Sequence, residues 1–395
     1  MTYQCGNVSS HCMKYLTQQD CIANRFSGSS VADTKHPEGR PDAPDEPKTP
    51  KHRVAGRARS GRLTMKDVAM EAGVGVGTVS RYINGNGALG DDIRERVSGA
   101  IKRLNFNPDP IAQSMRNGQT KTFACIVRDL TVPVLSVFVN AMQTAVDAEG
   151  YGLMVASSYH DPQREVEMLH KLSMRRTDGM VIATSTEGNA ALNEALEKLN
   201  APVVLLDRQT PVHLDSVLID HLRGVKHAIR YLIDLGHRRI AVLSGQEAVR
   251  PVVERLEGFR QAFTERGLSV PEDLVRMGSF SADYTYEETL RLLQLLDRPT
   301  AIFAGGTAML PGVLRAVKDS GLQIPRDISV IGGADSELAS LFSPSVTVVR
   351  WDHDRLGTAA ARFLLNRIKR PDCPVQRQIF PTELIVRDSC GPVPA

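Results

Sequence analysis

TMKDVAMEAGVGVGTVSRYING, residues 64–85, decides the architecture of the N-terminal part of the chain. Thr64 is placed to cap a first helix whose inward stripe is Val68, Ala69 and Ala72. Gly73 then supplies the left-handed turn residue that most side chains resist. A second short helix follows. Its Val79 and Ile83, four residues apart, face the core and leave Gly77, Thr78 and Arg81 outside. A third amphipathic pattern, Ile93, Val97, Ile101 and Leu104, completes a small core. Helix, short glycine-containing turn and helix form a helix-turn-helix, whose second helix enters the major groove of DNA by its N-terminal end. The run GVGVG also suggests a dinucleotide fingerprint. That fingerprint needs a preceding strand, whereas MKDVAMEA carries a helical period and the third glycine is misplaced.

Upstream, residues 1–61 read as a disordered extension, rich in Pro, Ser and charge and poor in apolar surface. Its end, Lys48 to Arg62, carries six Lys/Arg and no acid. A solvated tail is favoured over an arm making non-specific phosphate contacts. Cys5, His11, Cys12 and Cys21 match no standard zinc spacing, so no metal is expected. Downstream, NPDPIAQSMRNGQT (107–120) offers Asp109 as a cap, Pro110 at a first helical position and Gly118 as a stop. So short a helix folds only against a partner.

From Lys121 the pattern becomes βα. Apolar runs at 123–127, 152–157, 179–183, 202–206, 239–244, 300–304 and 328–332 read as buried strands. Helical patterns alternate with them at about 135–149, 163–175, 189–199, 222–236, 254–266, 285–296, 308–320 and 354–369, and a last strand lies near PTELIVRDS. Such alternation means doubly wound parallel sheets. So many units over ~250 residues predict two sheets, with a ligand cleft between them at the strand carboxyl ends.

The whole chain of 395 residues has a net charge of +3, with 42% hydrophobic and 24% charged residues. These values exclude a globally basic nucleic-acid binder. No apolar run approaches the ~18–20 residues of a membrane span, and the N-terminus lacks a secretory apolar core. Six cysteines in so long a chain are no disulfide framework. A cytoplasmic protein is expected.

The runs MKDVAMEAGVGVGTVSRYINGNG and RERV…AIKRLNFNPDPIAQSMRNGQTKT resemble the lactose-repressor family of bacterial transcription regulators. So do DPQREVEML, RRTDGMVIA, PVVLLDR, YLIDLGHRRIAVLSG, RLEGF, RPTAIFA, GLQIPRDISVIG and SPSVTVVR. They stand in family order from about 63 to 388. The resemblance implies an all-α helix-turn-helix DNA-binding domain (62–107), a hinge helix (108–120), an α/β core like that of periplasmic binding proteins with two doubly wound parallel-sheet subdomains (121–390), and a tail (391–395). On DNA it implies base-reading positions at Val76, Gly77 and Arg81, with Thr78, Ser80 and Asn84 beside them. Arg81 is the candidate for a guanine. The hinge would contribute Ala112, Met115 and Arg116, Met115 standing where the family has its intercalating Leu. Gly75 replaces the usual Ser, and Gly77 has no side chain to read a base.

For a core effector, the resemblance implies contacts at Val134, Leu135, Asp207, Arg255, Phe280 and Trp351. The family pattern F-A-x-N-D is here Phe303-Ala304-Gly305-Gly306-Thr307, without amide or acid. The pattern G-F/Y-D-D is here Gly332-Gly333-Ala334-Asp335, without the first Asp. Keeping Arg255 while losing these groups makes the cleft more positive, so an acidic small effector is expected, a sugar acid or keto acid. An enzyme is not expected: no G-x-S-x-G, Walker loop or H-E-x-x-H is present, and no cofactor is implied. His213, His221, His227 and His237 read as surface or capping residues. A solute-binding protein of similar core is the alternative function, but it would not need the DNA-binding head. The expected protein is a homodimeric repressor on a pseudo-palindromic operator, controlled by an effector. No leucine heptad follows the last strand, so tetramers made that way are not expected.

Overall fold

A computed structural model describes residues 63–84, 88–107, 119–209, 213–245 and 249–393. The extension 1–61 with its cysteines, the hinge segment Pro110–Asn117 and its Asp109, Ala112, Met115, Arg116 and Gly118 lie outside the described residues.

Three helices open the described chain: α1 (Met65–Ala72), α2 (Val76–Ile83) and α3 (Asp91–Leu104). Asp67, in the first turn of α1, accepts hydrogen bonds from the Thr64 backbone N–H (2.8 Å) and hydroxyl (2.7 Å). Such reciprocal capping satisfies donors that a helix start leaves over. Gly73 ends α1 at φ 64°, the left-handed conformation its lack of a Cβ permits. Val68, Ala69, Ala72, Val79, Val97, Ala100 and Phe106 are buried together, with Ile83, Ile93, Ile101 and Leu104 packed round them. The stripe read from the sequence is therefore the core of this unit.

The βα region folds as two six-stranded sheets. The first subdomain runs β1 (Thr122–Val127), α4 (Pro133–Asp147), β2 (Gly152–Ser157), α5 (Pro162–Met174), β3 (Gly179–Ile182), α6 (Ala190–Glu197), β4 (Val203–Leu206) and β5 (Asp215–Ile219). Helix α7 (His221–Asp234) then carries the chain into the second subdomain. That one runs β6 (Ile240–Gly245), α8 (Arg250–Thr264), β7 (Val275–Gly278), α9 (Ala282–Leu293), β8 (Ala301–Ala304), α10 (Leu310–Asp319), β9 (Ser329–Gly332), α11 (Glu337–Leu341) and β10 (Thr347–Arg350). Helix α12 (His353–Lys369) returns to the first sheet through β11 (Arg377–Phe380), and β12 (Glu383–Ile385) rejoins the second. The orders are β11-β5-β4-β3-β1-β2 and β12-β10-β9-β8-β6-β7. Every pairing is parallel except β10 with β12. Three crossings thus join the subdomains.

Four strands escape the sequence reading as separate runs: β5, β7, β10 and β11. β7 is VRMG at a sheet edge with only intermediate burial, so it carries no apolar signal. β5 begins on Asp215, a charge the strand tolerates because Arg367 answers it at 2.6 Å. Helix α8 begins four residues before its expected start, at Arg250, because Pro251 fits the first turn. At the C-terminus, Gly391 accepts from His237 and the Val393 N–H donates to Leu235, so residues 391–393 are hydrogen-bonded to the second subdomain.

Close packing between α7 and α8 rests on Gly258. A Cβ there would stand 2.4 Å from the Leu222 carbonyl oxygen, which is backbone and cannot yield. Gly258→Ala is expected to cost ~1–3 kcal/mol, the usual penalty of overpacking, read as a lower urea midpoint at unchanged slope.

Candidate functional site

On the helix-turn-helix, Val79 is buried while Val76, Gly77, Arg81 and Asn84 are exposed and Thr78 and Ser80 are half-buried. Among the described residues Arg81 has only a long contact to its own helix, Nε to the Gly77 carbonyl at 3.5 Å. Its guanidinium is therefore available to a partner. Asn84 leans on Ser80, Nδ2 to Oγ at 3.3 Å. Gly75 begins α2 without a side-chain cap. The outer face of α2 thus presents one long cation and otherwise small groups.

The second site is a cavity of about 1100 Å³ between the two sheets. Its walls come from the residues that follow the strands. Arg128 and Asp129 follow β1, Ala183 follows β3, Asp207 and Arg208 follow β4, and His221 follows β5. From the other side come Ser279 and Phe280 after β7, Gly306 and Thr307 after β8, Ala334 after β9 and Trp351 after β10. This is the carboxyl-end placement that doubly wound sheets give their ligands. Val134, Leu135, Asp207, Arg255, Phe280 and Trp351 all line this one cavity.

Charge is distributed unevenly round it. Asp207, at φ 53°, has both oxygens occupied. Oδ1 accepts from the Ile219 N–H (3.2 Å) and from Arg250 (3.2 Å), and Oδ2 meets His221 Nε2 at 2.8 Å. Burial works against its charge, but His221, Arg208 and Arg250 together hold its carboxyl below the usual range. Asp207 is thereby a brace on the wall more than a free acceptor. Asp335, beside the lost acid, is clamped by Arg387 at 2.9 and 3.0 Å. Arg255 differs from these. It is 7% exposed and makes no hydrogen bond or ion pair with any described residue. Burial, opposed by Asp207, lowers its pKa to about 10. The Trp351 indole N–H is likewise buried without an acceptor.

Packing accounts for two of the glycines in these loops, while nothing in the structure explains Thr307 and Ala334 in place of the acids. The Phe280 ring lies where a Cβ on Gly245 or Gly306 would stand, at 2.2 and 3.0 Å respectively. Gly306, in the place of the family's Asn, therefore seats the ring. A Cβ on Gly333 would meet the Gly305 backbone at 2.7 Å, so the loops after β8 and β9 touch glycine to glycine. Arg128 stands over the opposite subdomain's Phe280, 5.3 Å from the ring centre.

Two of the four histidines read as surface or capping residues are buried. His221 is 2% exposed, held by Asp207 and set edge-on to Trp351 at 5.5 Å. His237 is fully buried between Thr300, Ser329 and the Gly391 carbonyl. Each follows a charged or small residue in a helix-edge pattern, so nothing local marks it as internal. His353, Arg128, Asp129 and Tyr284 also line the cavity and were not read from the sequence. They lie just beyond strands or on helix starts, where side-chain direction depends on loop geometry.

Burial holds His221 and His353 neutral, each with a pKa of about 4. Unfolded histidine titrates near 6.5, so between pH 6.5 and 4 the unfolded chain binds more protons. Stability is therefore full above pH 6.5 and falls as pH drops toward 4. From pH 7 to 5 the expected loss is ~1–2 kcal/mol per histidine. The check is urea unfolding at both pH values, the difference shrinking in His353→Gln.

A small helix-turn-helix and a two-sheet core with a ligand cavity at its strand ends, in one chain, define a DNA-binding regulator with a ligand-binding domain. Residues 64–109 match the family model for bacterial regulatory proteins of the lacI family, and residues 229–390 match that for the periplasmic binding protein-like domain. The ribose operon repressor of Escherichia coli (strain K12) is 36% identical over 329 residues, 82% of this chain and 99% of that one. The HTH-type transcriptional repressor PurR of Erwinia tasmaniensis is 33% identical over 335 residues, 84% and 98% of the two chains. Among solved structures, the lac repressor dimer bound to operator and the anti-inducer ONPF superposes with a TM-score of 0.75 at 27% identity, covering 83% of this chain and 99% of that one. The chain belongs to the lacI family of bacterial transcriptional regulators.

Among the described residues no three His, Cys, Asp or Glu side chains gather as a metal site requires. No described helix is long and apolar enough to cross a membrane.

Proposed function

We propose that this protein is a cytoplasmic repressor that binds a pseudo-palindromic operator as a homodimer and is controlled by an acidic small molecule in the core cavity. The observation that carries the effector reading is Arg255, a buried guanidinium on the cavity wall with no ion-pair partner among the described residues. On the DNA side, α2 reads each half-site with Arg81 and Val76, while Thr78, Ser80 and Asn84 serve phosphates. Residues 62–107 form the reading head, 108–120 the hinge and 121–390 the core. Two hinge copies order together in the central minor groove, with Met115 as the wedge and Ala112 and Arg116 beside it. The effector shifts operator affinity according to which subdomain arrangement it binds more tightly.

Support for the dimer comes from apolar surface that a monomer leaves in water. Leu341 is 82% exposed and Leu338 41% exposed on α11, and Met174, ending α5, is 71% exposed. The lac repressor, similar over nearly its whole length, was solved as a dimer on its operator. Sedimentation equilibrium is expected to give a dimer, and Leu341→Asp to shift it toward monomer. A monomeric parent chain would refute the dimer.

The experiment for the function is fluorescence anisotropy of the full chain on a duplex enriched from random sequence and on a scrambled one. A regulator of this kind prefers its site by ~10³-fold or more. Equal affinity for both duplexes would overturn the reading.

A further inference from the structure

Resting on the reading of the cavity as an effector site, we infer that its ligand is a hydroxyl-poor carboxylic acid with a flat apolar body, and not a sugar or sugar acid. The cavity walls have more to donate than to accept. Three guanidinium groups line the cavity, of which Arg208 already donates to the Thr184 and Asp207 carbonyls and Arg128 lies over the Phe280 ring. Arg255 and the Trp351 indole N–H are donors that no described residue satisfies. Strong acceptors are few: among the described residues the lining holds no Asn, Gln or Glu, and its two carboxylates are Asp129 and Asp207. The other side-chain acceptors are histidine rings and the hydroxyls of Ser279, Ser281, Tyr284 and Thr307, of which Ser279 and Ser281 already take backbone N–H groups. Asp207 has both oxygens engaged, and Asp129 gives Oδ1 to the backbone and hydroxyl of Thr131.

A sugar brings a donor with every hydroxyl, and each buried donor needs an acceptor. A carboxylate or 2-oxo acid brings acceptors only. It therefore answers the unsatisfied donors and creates none. Arg255 takes the carboxylate, in the two-pronged geometry its planar guanidinium allows.

The remainder of the lining fits the body of such an acid. Phe280, Met277, Ala334 and Leu135 are apolar, and Ala334 stands where an acid would have taken hydroxyls. Phe280 is seated on Gly245, where a Cβ would stand 2.2 Å from the ring, and lies close against Gly306, at 3.0 Å. The ring is thus fixed as a platform, and a fixed aromatic face suits a flat apolar group.

The test is calorimetric titration of the full chain with benzoate, phenylpyruvate, gluconate, ribose and benzamide, the last a neutral counterpart of benzoate. Binding of benzoate or phenylpyruvate at least tenfold tighter than gluconate, with benzamide weaker than benzoate by about tenfold to a hundredfold, is expected. Tighter binding of gluconate than of either apolar acid would overturn the inference while leaving an acidic effector standing. Ribose binding with no acid bound would overturn both the inference and the acidic effector. Silence of both apolar acids at 10 mM-scale concentrations, roughly a thousandfold above a ~10 µM site, would also overturn the inference. None of these outcomes touches operator binding, which is measured separately.

Discussion

Arg81→Ala is expected to lower affinity for the selected operator by ~30-fold to ~10⁴-fold. Each bidentate arginine–guanine contact carries ~1–3 kcal/mol, and a dimer loses two. The structure supports assigning the loss to DNA alone. Arg81 is exposed and holds only a 3.5 Å contact to Gly77 of its own helix, so its removal disturbs little within the protein. Affinity for scrambled duplex should fall far less, because that binding comes from phosphate contacts summed over many residues. Anisotropy titrations of both duplexes check the difference. An equal fall on both would make Arg81 a phosphate contact and move base reading elsewhere on α2.

Arg255→Met is expected to lower affinity for the cavity acid by tenfold or more, consistent with ~1.5–3 kcal/mol for a hydrogen-bonded pair with a charged group. It should also leave operator binding without ligand within about threefold, since Arg255 belongs to the core and α2 to the reading head. A third readout separates a ligand-binding arginine from a structural one. Burying a cation without a partner is unfavourable, and Arg255 makes no hydrogen bond or ion pair with any described residue. Met in its place is therefore expected to keep or raise the melting temperature, the familiar exchange of stability for function. A marked drop in melting temperature would mean that Arg255 holds the fold together instead.

How far these features were readable from residues alone differs by element. The helix-turn-helix was fully legible, because Val68, Ala69, Ala72, Val79 and Val97 repeat at helical spacing and Gly73 marks the turn. The central strands were legible for the same kind of reason: β3, β4 and β8, and β1 after Thr122 and β6 up to Leu243, are buried runs of apolar residues. Strands β7, β10 and β11 were not legible as runs. β7 and β11 lie at sheet edges, which do not demand apolar residues, and β10 is a four-residue strand, TVVR, that ends on a charge. In the cavity, Arg255, Asp207, Phe280 and Trp351 came from resemblance. What the residues could not say was that Asp207 is already engaged by His221 and Arg250. That depends on α7 and α8 bringing His221 and Arg250 to a loop after β4. Nor could they say why glycine stands at 306 and 333. The reason is a close approach of Phe280 to one and of the Gly305 backbone to the other.

After the loss of amide and acid beyond β8 and β9, Gly306 and Gly333 pack closely against Phe280 and the Gly305 backbone, Ala334 lines the cavity, and about 1100 Å³ remains open. A site that had lost its ligand would be expected to retain no unanswered buried cation, because nothing would maintain so unfavourable a group.

The account stands or falls on DNA recognition by two copies of α2, and one experiment addresses that directly. The full chain is used to select from a library of random duplexes about 30 base pairs long, a length that spans two half-sites one helical turn apart, and the enriched pool is sequenced. The account predicts an inverted repeat with half-sites centred about one turn apart, a G·C pair prominent in each half, and loss of that preference in Arg81→Ala. A pool with no enrichment, or with a single unrepeated motif, would contradict it.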